Sequence, residues 1–227
     1  MFDAIAARYD LLNHVLSGGI DTRWRKRAVA SLRLTGSERV LDLCTGTGDL
    51  AIAAARARPG AARVVGVDFA GAMLLVGLEK LRHRDLTRSV ALVRGDATRI
   101  PVASASVDAV TIGFGIRNVE QVVDAFSEMR RVLKPGGRLA ILEFAMPDAP
   151  GMSVLYRWYI RSVLPRIGRA ISRHQAAYDY LPASIDAFTA PAEFVKILQQ
   201  SGFADARAVR LTFGTVILYT ARRGLGD

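Results

Sequence analysis

The sequence predicts an α/β fold in which a mostly parallel sheet is covered by helices on both faces. From residue 39 onward, short apolar runs alternate with longer amphipathic runs, as in strands joined by crossover helices. Near the end of the chain, two β-rich runs are separated by only four residues, a spacing typical of an antiparallel hairpin. Because 227 residues suit one hydrophobic core, we expect a single domain over 1–227.

Seven apolar or β-rich runs are predicted to be strands. The parallel strands are expected at 39–43, 63–67, 90–93, 108–112 and 138–142. The antiparallel C-terminal hairpin is expected at 206–211 and 216–221. Helical spacing predicts helices at 50–58, 72–82 and 119–133. The last helix is expected to end before Pro135, since proline disfavours helical backbone in the residue before it.

Two regions lie outside this alternation. Residues 1–35 are charged and have helical character, and we expect them to form a lid. Residues 146–190 form a long insertion without a strand pattern, which is too apolar for a linker. These two segments are where we expect substrate specificity to be determined.

The composition limits the cellular setting. The net charge of +10 favours polyanions, either nucleic acid or anionic lipid, although a solvated basic surface explains it equally well. No apolar run approaches the roughly 20 residues of a bilayer span, and the N-terminus does not resemble a signal peptide. Cys44 is the only cysteine, so it has no partner for an internal disulfide or a metal cluster. We therefore expect a cytoplasmic protein without a metal.

A glycine-containing turn follows the first predicted strand. The strand continues into Asp42, and the turn contains Gly46, Thr47 and Gly48 before a helix begins. Glycine lets the backbone approach a ligand closely, and free N–H groups at a helix start favour polar or anionic groups. This pattern predicts a nucleotide-like ligand, but dinucleotide sites and ordinary turns produce similar patterns.

Acidic residues follow the next two strands. Asp68 ends the second strand, where a carboxylate can accept hydrogen bonds from ribose hydroxyls. Asp96 and Ala97 follow the third strand, where they could contact an adenine edge. Each aspartate could instead be a turn former or a helix cap. Because ligands of open α/β sheets bind at the carboxyl ends of the strands, together they predict one nucleoside site.

The motifs resemble those of class I S-adenosylmethionine-dependent methyltransferases, with Rossmann-like folds. More specific runs resemble the ubiquinone/menaquinone biosynthesis C-methyltransferase family over nearly the whole chain. These are MFDAIAARYD at the start of the chain, Trp24-Arg25, TGTGDL from Thr45, FGIRNV from Phe114, RVLKPGGR from Arg131 and YDYLPASI from Tyr178. The FGIRN and YxYLxxSI runs are the most specific of these.

The resemblance implies S-adenosylmethionine as the methyl donor and S-adenosylhomocysteine as its product. It implies cofactor contacts at Thr47, Asp68, Asp96, Ala97 and Gly113, with the methionine portion near Asp42 and the glycine turn. The sequence departs from the pattern twice. Cys44 occupies the position of the first glycine of the general motif, and Gly113 stands where relatives often carry serine, which removes one side-chain contact.

The same resemblance implies methyl transfer to a ring carbon of a polyprenylated quinol. Deprotonation of a quinol enriches the neighbouring ring carbon in electrons, and a nearby cation would stabilise the phenolate. Arg117 and Asn118, after the fourth strand, are the predicted catalytic residues. Arginine is a poor base, so the role expected of Arg117 is electrostatic. The alternative is that Arg117 makes a structural salt bridge.

Several further residues are candidates for substrate binding. They are Tyr9 and Asn13 in the N-terminal segment and His174, Tyr178 and Tyr180 in the insertion. Each could equally be a surface or packing residue. Residues 155–169 mix aromatic, aliphatic and arginine side chains, which suits either peripheral contact with the inner face of a membrane or a cap helix on the sheet.

Other functions stay open at this stage. A methyltransferase of a soluble small molecule or of RNA has the same cofactor motif, although nucleic acid is disfavoured because basic and aromatic residues are interleaved only in the insertion. A dinucleotide-binding oxidoreductase is disfavoured weakly, since Ala51 replaces the third glycine of that fingerprint. The sequence does not decide between a naphthoquinol and a benzoquinol, or between a monomer and a homodimer.

Overall fold

A computed structural model describes residues 14, 17–57, 63–147, 149–163, 166 and 183–226. Within them, seven strands form one sheet in the order β3-β2-β1-β4-β5-β7-β6. The strands are β1 (Arg39–Leu43), β2 (Arg63–Asp68), β3 (Val90–Arg94), β4 (Val107–Gly113), β5 (Leu133–Phe144), β6 (Phe203–Leu211) and β7 (Val216–Arg223). The strand order reverses at β1 and β4, where the chain crosses from one half of the sheet to the other.

The first five strands are parallel, and the C-terminal hairpin closes the sheet as predicted. β7 lies antiparallel between β5 and β6. The predicted fold class, a mostly parallel seven-stranded sheet with an antiparallel C-terminal pair, is therefore confirmed. Since the carboxyl ends of the parallel strands share one edge, the segments that follow β1, β2, β3 and β4 meet there.

Six α-helices are labelled here in the described part of the chain. They are α1 (Asp21–Ser31), α2 (Asp49–Ala57), α3 (Gly71–His83), α4 (Val122–Val132), α5 (Pro150–Trp158) and α6 (Pro191–Gln200). Tyr159–Val163 continue α5 as a short π-helical turn. No helix in this part of the chain combines the length and the hydrophobicity that a bilayer span needs.

The helices cover both faces of the sheet, and each face has its own hydrophobic core. On one face, Phe126 of α4 and Phe194 of α6 pack against the sheet. On the other, Trp24 of α1, Leu50 of α2 and Leu81 of α3 do so. The parallel strands are buried on both sides, which explains their nearly continuous apolar sequence.

Most element boundaries differ from the sequence prediction by one to three residues, and the start of β5 differs by five. The helix expected over 119–133 spans Val122–Val132, because Ile116–Asn118 form a 3-10 turn and Val119 is extended. β5 begins at Leu133, five residues before the predicted start at 138, because Leu133 already pairs with Val107. The helix therefore ends at Val132, because from Leu133 onward the backbone pairs with β4.

Candidate functional site

A cavity of about 470 Å³ lies at the carboxyl ends of the parallel strands. Its lining comes from the segments that follow β1, β2, β3 and β4. Six of the residues predicted from the sequence line it, and these are Gly46, Asp68, Asp96, Ala97, Gly113 and Asn118. The cavity thus brings together positions that the sequence places up to 72 residues apart.

Asp68 fixes the rim of this cavity at the end of β2. Its carboxylate accepts a hydrogen bond of 2.7 Å from the N–H of Gly46 and one of 2.8 Å from the N–H of Ala70. Gly46 has φ +57° and Gly48 has φ +82°, values that glycine adopts without strain. The turn after β1 is therefore held to the end of β2 by the carboxylate that also borders the cavity.

Asp42 lies beneath the turn rather than in the large cavity. Its fully buried carboxylate accepts hydrogen bonds from Thr45 Oγ1 at 2.5 Å and Thr111 Oγ1 at 2.7 Å. It also accepts one from the N–H of Ala51 at 3.0 Å. Burial raises the pKa of Asp42 to about 6, although these hydrogen bonds oppose the shift. Asp42 therefore ties β1 to β4 and to the start of α2.

Thr47 and Gly48 also lie outside the lining of the large cavity. Thr47 is buried and accepts a hydrogen bond of 3.1 Å from Lys80 Nζ, and the N–H of Gly48 donates to the carbonyl of Thr45 at 2.9 Å. Thr47 and Asp42 border a small neighbouring cavity of about 30 Å³. Of the predicted loop residues, Gly46 borders both spaces, Asp42 and Thr47 border only the small one, and Gly48 borders neither.

Two glycines that line the large cavity, Gly95 and Gly113, are closely packed against neighbouring side chains. A Cβ atom on Gly113 would lie 3.2 Å from Leu50 Cδ2, and one on Gly95 would lie 2.8 Å from two atoms of Pro101. Beside them, the exposed Asp96 carboxylate accepts hydrogen bonds of 2.8 Å from the N–H and the hydroxyl of Thr98. These bonds hold the pKa of Asp96 below its usual value.

Arg117 forms a buried ion pair with Glu143, a residue that had no predicted role. Arg117 Nη1 lies 2.6 Å from Glu143 Oε1, and the two side chains are 7% and 0% exposed. The same nitrogen donates to the carbonyl of Phe114 at 2.6 Å. The salt bridge considered as the alternative role of Arg117 is therefore present. The signal available in the sequence was Glu143 itself, a charged residue directly after the apolar run that predicts β5.

A second, mostly apolar cavity of about 190 Å³ lies beside the first. Its aromatic walls are Trp24, Phe114, Phe144, Tyr156 and Tyr159. Phe114 also lines the large cavity, so one ring stands between the two spaces. In the sequence, Trp24 and Phe114 stand out only as parts of motifs, because their contact depends on tertiary packing.

Arg25 is a further residue to which the sequence analysis gave no role. It borders the small cavity together with Gly46 and Gly113. Its guanidinium pairs with Asp21 of the same helix and lies 3.4 Å from Asp49. Lys80 contacts Asp49 from the other side at 2.5 Å. Burial would raise the pKa of Asp49, but Arg25 and Lys80 outweigh it and lower the pKa.

The five predicted substrate-binding residues lie outside the described residues. They are Tyr9, Asn13, His174, Tyr178 and Tyr180. Their assignment therefore stays a prediction from the sequence. The described part of the insertion consists of residues 146–147, 149–163, Arg166 and 183–190. It contributes two aromatic walls of the second cavity through Tyr156 and Tyr159.

Solved structures share the fold. An S-adenosylmethionine-dependent methyltransferase from Aquifex aeolicus superposes with a TM-score of 0.66 at 18% identity, covering 87% of this chain and 88% of that one. The cyclase SpnF superposes with a TM-score of 0.67 at 19% identity, covering 100% of this chain and 94% of that one. The two differ in activity, so the shared fold does not determine the chemistry.

Sequence comparison is more specific. The chain is 50% identical over 228 residues to the ubiquinone/menaquinone biosynthesis C-methyltransferase UbiE of Syntrophotalea carbinolica, covering 100% of this chain and 94% of that protein. It is 44% identical over 223 residues to the demethylmenaquinone methyltransferase of Thermus thermophilus, covering 98% and 100%. The model of the ubiE/COQ5 methyltransferase family matches residues 1–223. The chain therefore belongs to the ubiE/COQ5 methyltransferase family.

Proposed function

We propose that this protein transfers a methyl group from S-adenosylmethionine to a ring carbon of a polyprenylated quinol. The observation that carries the proposal is the large cavity, where Gly46, Asp68, Asp96 and Gly113 gather at the carboxyl ends of the parallel strands. The names of the relatives supply the substrate class, since they refer to quinone biosynthesis and to demethylmenaquinone.

The residues of the cavity suit the nucleoside part of the cofactor. Asp68 borders the space at a strand end, and a carboxylate has about four acceptor sites for N–H groups and ribose hydroxyls together. Asp96 and Ala97 border the same cavity beside Gly95, where an added Cβ would collide with Pro101. We assign the adenine edge to this segment of short residues.

The charged groups beside the glycine turn suit the methionine part. Arg25 and Gly46 border the adjoining small cavity, and a guanidinium matches a carboxylate in shape and charge. We assign Arg25 to the methionine carboxylate, and Asp42, Thr47 and Gly48 to holding the turn in place. When bound, S-adenosylmethionine would supply a methyl group that leaves its electron pair on sulfur. The quinol ring carbon would take the methyl group, and the proton that this carbon loses would pass to water.

Arg117 and Asn118 are the proposed catalytic residues. Asn118 lines the cofactor cavity, and Arg117 lies 5.5 Å from the centre of the Phe144 ring, a wall of the second cavity. We assign Arg117, whose guanidinium is held in place by Glu143, to stabilising negative charge on a quinol oxygen. Arg117→Ala is expected to slow turnover and to leave S-adenosylhomocysteine affinity largely unchanged.

A methyl-transfer assay tests the proposal. The purified protein is incubated with S-adenosylmethionine labelled in the methyl group and a short-tailed demethylnaphthoquinol or demethylbenzoquinol. We expect label on the ring carbon of a reduced substrate and none on the oxidised quinone, since only the quinol has an electron-rich ring carbon. Label on added RNA with none on either quinol would contradict the proposal.

Membrane contact through the insertion is part of the same proposal. On α5, Val154, Leu155 and Trp158 are 70%, 57% and 57% exposed, and Arg157 is beside them. An exposed apolar surface with a basic neighbour suits the interface of an anionic bilayer, where a polyprenyl tail resides. We expect peripheral binding to anionic vesicles that high salt weakens. If a Leu155→Asp variant bound the vesicles as well as the wild type, this assignment would be wrong.

Residues 1–35 remain the proposed lid.

A further inference from the structure

We infer that the aromatic cavity lined by Trp24, Phe114, Phe144, Tyr156 and Tyr159 is the binding site of the quinol ring. The inference rests on the proposed function and adds to it the location of the second reactant. Its volume of about 190 Å³ is well below the 470 Å³ of the neighbouring cavity. It therefore offers room for a ring system rather than for a whole nucleoside cofactor.

The position of Phe114 connects the two cavities. It lies directly after Gly113 at the end of β4 and has φ +60°, a left-handed conformation that is unfavourable for a bulky residue. Its N–H donates to the carbonyl of Leu142 at 2.8 Å, which holds this bend. Strained backbone of this kind is often found where a side chain must be aimed for function. Here the bend places one aromatic ring at the border of both spaces.

The aromatic side chains enclose part of the cavity, and three of their rings contact one another. The rings of Phe114 and Phe144 are stacked, with centres 4.4 Å apart and an interplanar angle of 28°. Trp24 meets them edge-on at 6.0 Å and 6.3 Å. The indole is fixed, since Trp24 Nε1 donates to Thr212 Oγ1 at 2.7 Å. Fixed aromatic walls favour a flat, electron-rich ring, because both stacked and edge-on arrangements are attractive.

Polar groups lie where a quinol would need them. A tyrosine hydroxyl is protonated at neutral pH even at its ordinary pKa, and burial raises the pKa of Tyr156 and of Tyr159 further. Arg117 is near enough to Tyr156 to oppose this shift. The cavity therefore joins apolar walls with hydroxyl donors and a nearby cation, the combination that would orient a quinol and stabilise its phenolate.

Quenching of tryptophan fluorescence by a quinone tests the inference without any turnover. The chain contains two tryptophans, Trp24 and Trp158, so W158F and W24F each keep one of them. The probe is 2,3-dimethyl-1,4-naphthoquinone, which has no tail and needs no lipid. We expect strong, saturable quenching in W158F and several-fold weaker quenching in W24F. Equal quenching in both variants, or quenching confined to W24F, would overturn the inference.

Two further measurements separate this inference from the proposed function. In the W158F background, Phe144→Leu is expected to weaken quinone affinity several-fold and to leave S-adenosylhomocysteine affinity unchanged. If the wild-type protein methylates the quinol but Trp24 is not quenched, the ring-site inference is wrong and the proposed function stands. If Trp24 is quenched and no quinol accepts a methyl group, the proposed function is wrong although the cavity binds a quinone ring.

Discussion

The large cavity at the strand ends, where we place the cofactor, and the aromatic cavity share Phe114. The walls of the two cavities are built differently. The cofactor cavity consists of short segments at successive strand ends, where backbone geometry and carboxylates such as Asp68 define the lining. The aromatic cavity consists of side chains far apart in sequence, and its Trp24–Thr212 hydrogen bond spans 188 positions. Substitutions should therefore affect the first through charge and the second through packing.

The largest effect is expected at the buried ion pair between Arg117 and Glu143. Glu143→Gln keeps the shape of the side chain but removes the charge that balances the buried Arg117. Breaking a buried pair in this way costs about 3–5 kcal/mol of stability. The matched control is Glu193→Gln, since Glu193 pairs with Lys196 where the side chains are 54% and 63% exposed, and about 0.2–1 kcal/mol is expected there. Equal losses in urea denaturation would contradict the structural role of Glu143.

A second prediction concerns the buried carboxylate of Asp42, which lies beneath the turn. Burial raises the pKa of Asp42 from 3.8 to about 6, so the folded chain binds this proton more tightly than the unfolded chain. Through Asp42 alone, the free energy of unfolding should fall as the pH rises from about 4 to 6. The full effect is about 3 kcal/mol at about 1.4 kcal/mol for each pKa unit.

Denaturation of the wild type and of Asp42→Asn at pH 4 and pH 7 isolates this contribution. The asparagine does not titrate, so the difference in stability between the two proteins should change with pH by the amount due to Asp42. Other titrating groups are common to both proteins and cancel. A difference that is the same at both pH values would show that the pKa of Asp42 is not raised by folding.

Asp68→Ala is expected to weaken S-adenosylhomocysteine binding about 10- to 100-fold. A hydrogen bond to a charged group contributes about 1.5–3 kcal/mol, and each 1.4 kcal/mol is a factor of ten. Isothermal titration calorimetry measures the change. Asp108→Ala is the control, because Asp108 lies near the opposite end of its strand, where it accepts a hydrogen bond of 2.6 Å from Lys134. If both variants bound equally well, Asp68 would have no direct contact with the cofactor.

Phe144→Leu is expected to produce the smallest effect. It removes the stacked partner of Phe114, and an aromatic pair contributes about 0.5–1.5 kcal/mol beyond its buried area. The KM for the quinol should rise several-fold in the methyl-transfer assay, whereas the KM for S-adenosylmethionine should not change. Phe213→Leu is the control, since Phe213 is 79% exposed. A similar rise in both variants would mean that Phe144 does not contact the ring.

The sequence predicted most of the cofactor side of the molecule. Asp68, Asp96 and Gly113 each follow a strand, and strand order alone brings strand ends to one edge of a sheet. The sequence did not predict the aromatic cavity, because nothing local relates Trp24 to Phe144 or Tyr156. It also missed the partner of Arg117, since Glu143 follows a strand whose predicted end was Leu142.

The central claim is that each reactant has its own cavity. The most direct test is to measure the affinities for S-adenosylhomocysteine and for the naphthoquinone in Asp68→Ala and in Phe144→Leu. We expect Asp68→Ala to lose S-adenosylhomocysteine affinity while the naphthoquinone still quenches Trp24 with wild-type affinity. Phe144→Leu should show the reverse, with weaker quenching and unchanged S-adenosylhomocysteine affinity. If the two substitutions weaken the same ligand, the two reactants do not occupy separate cavities and the account is wrong.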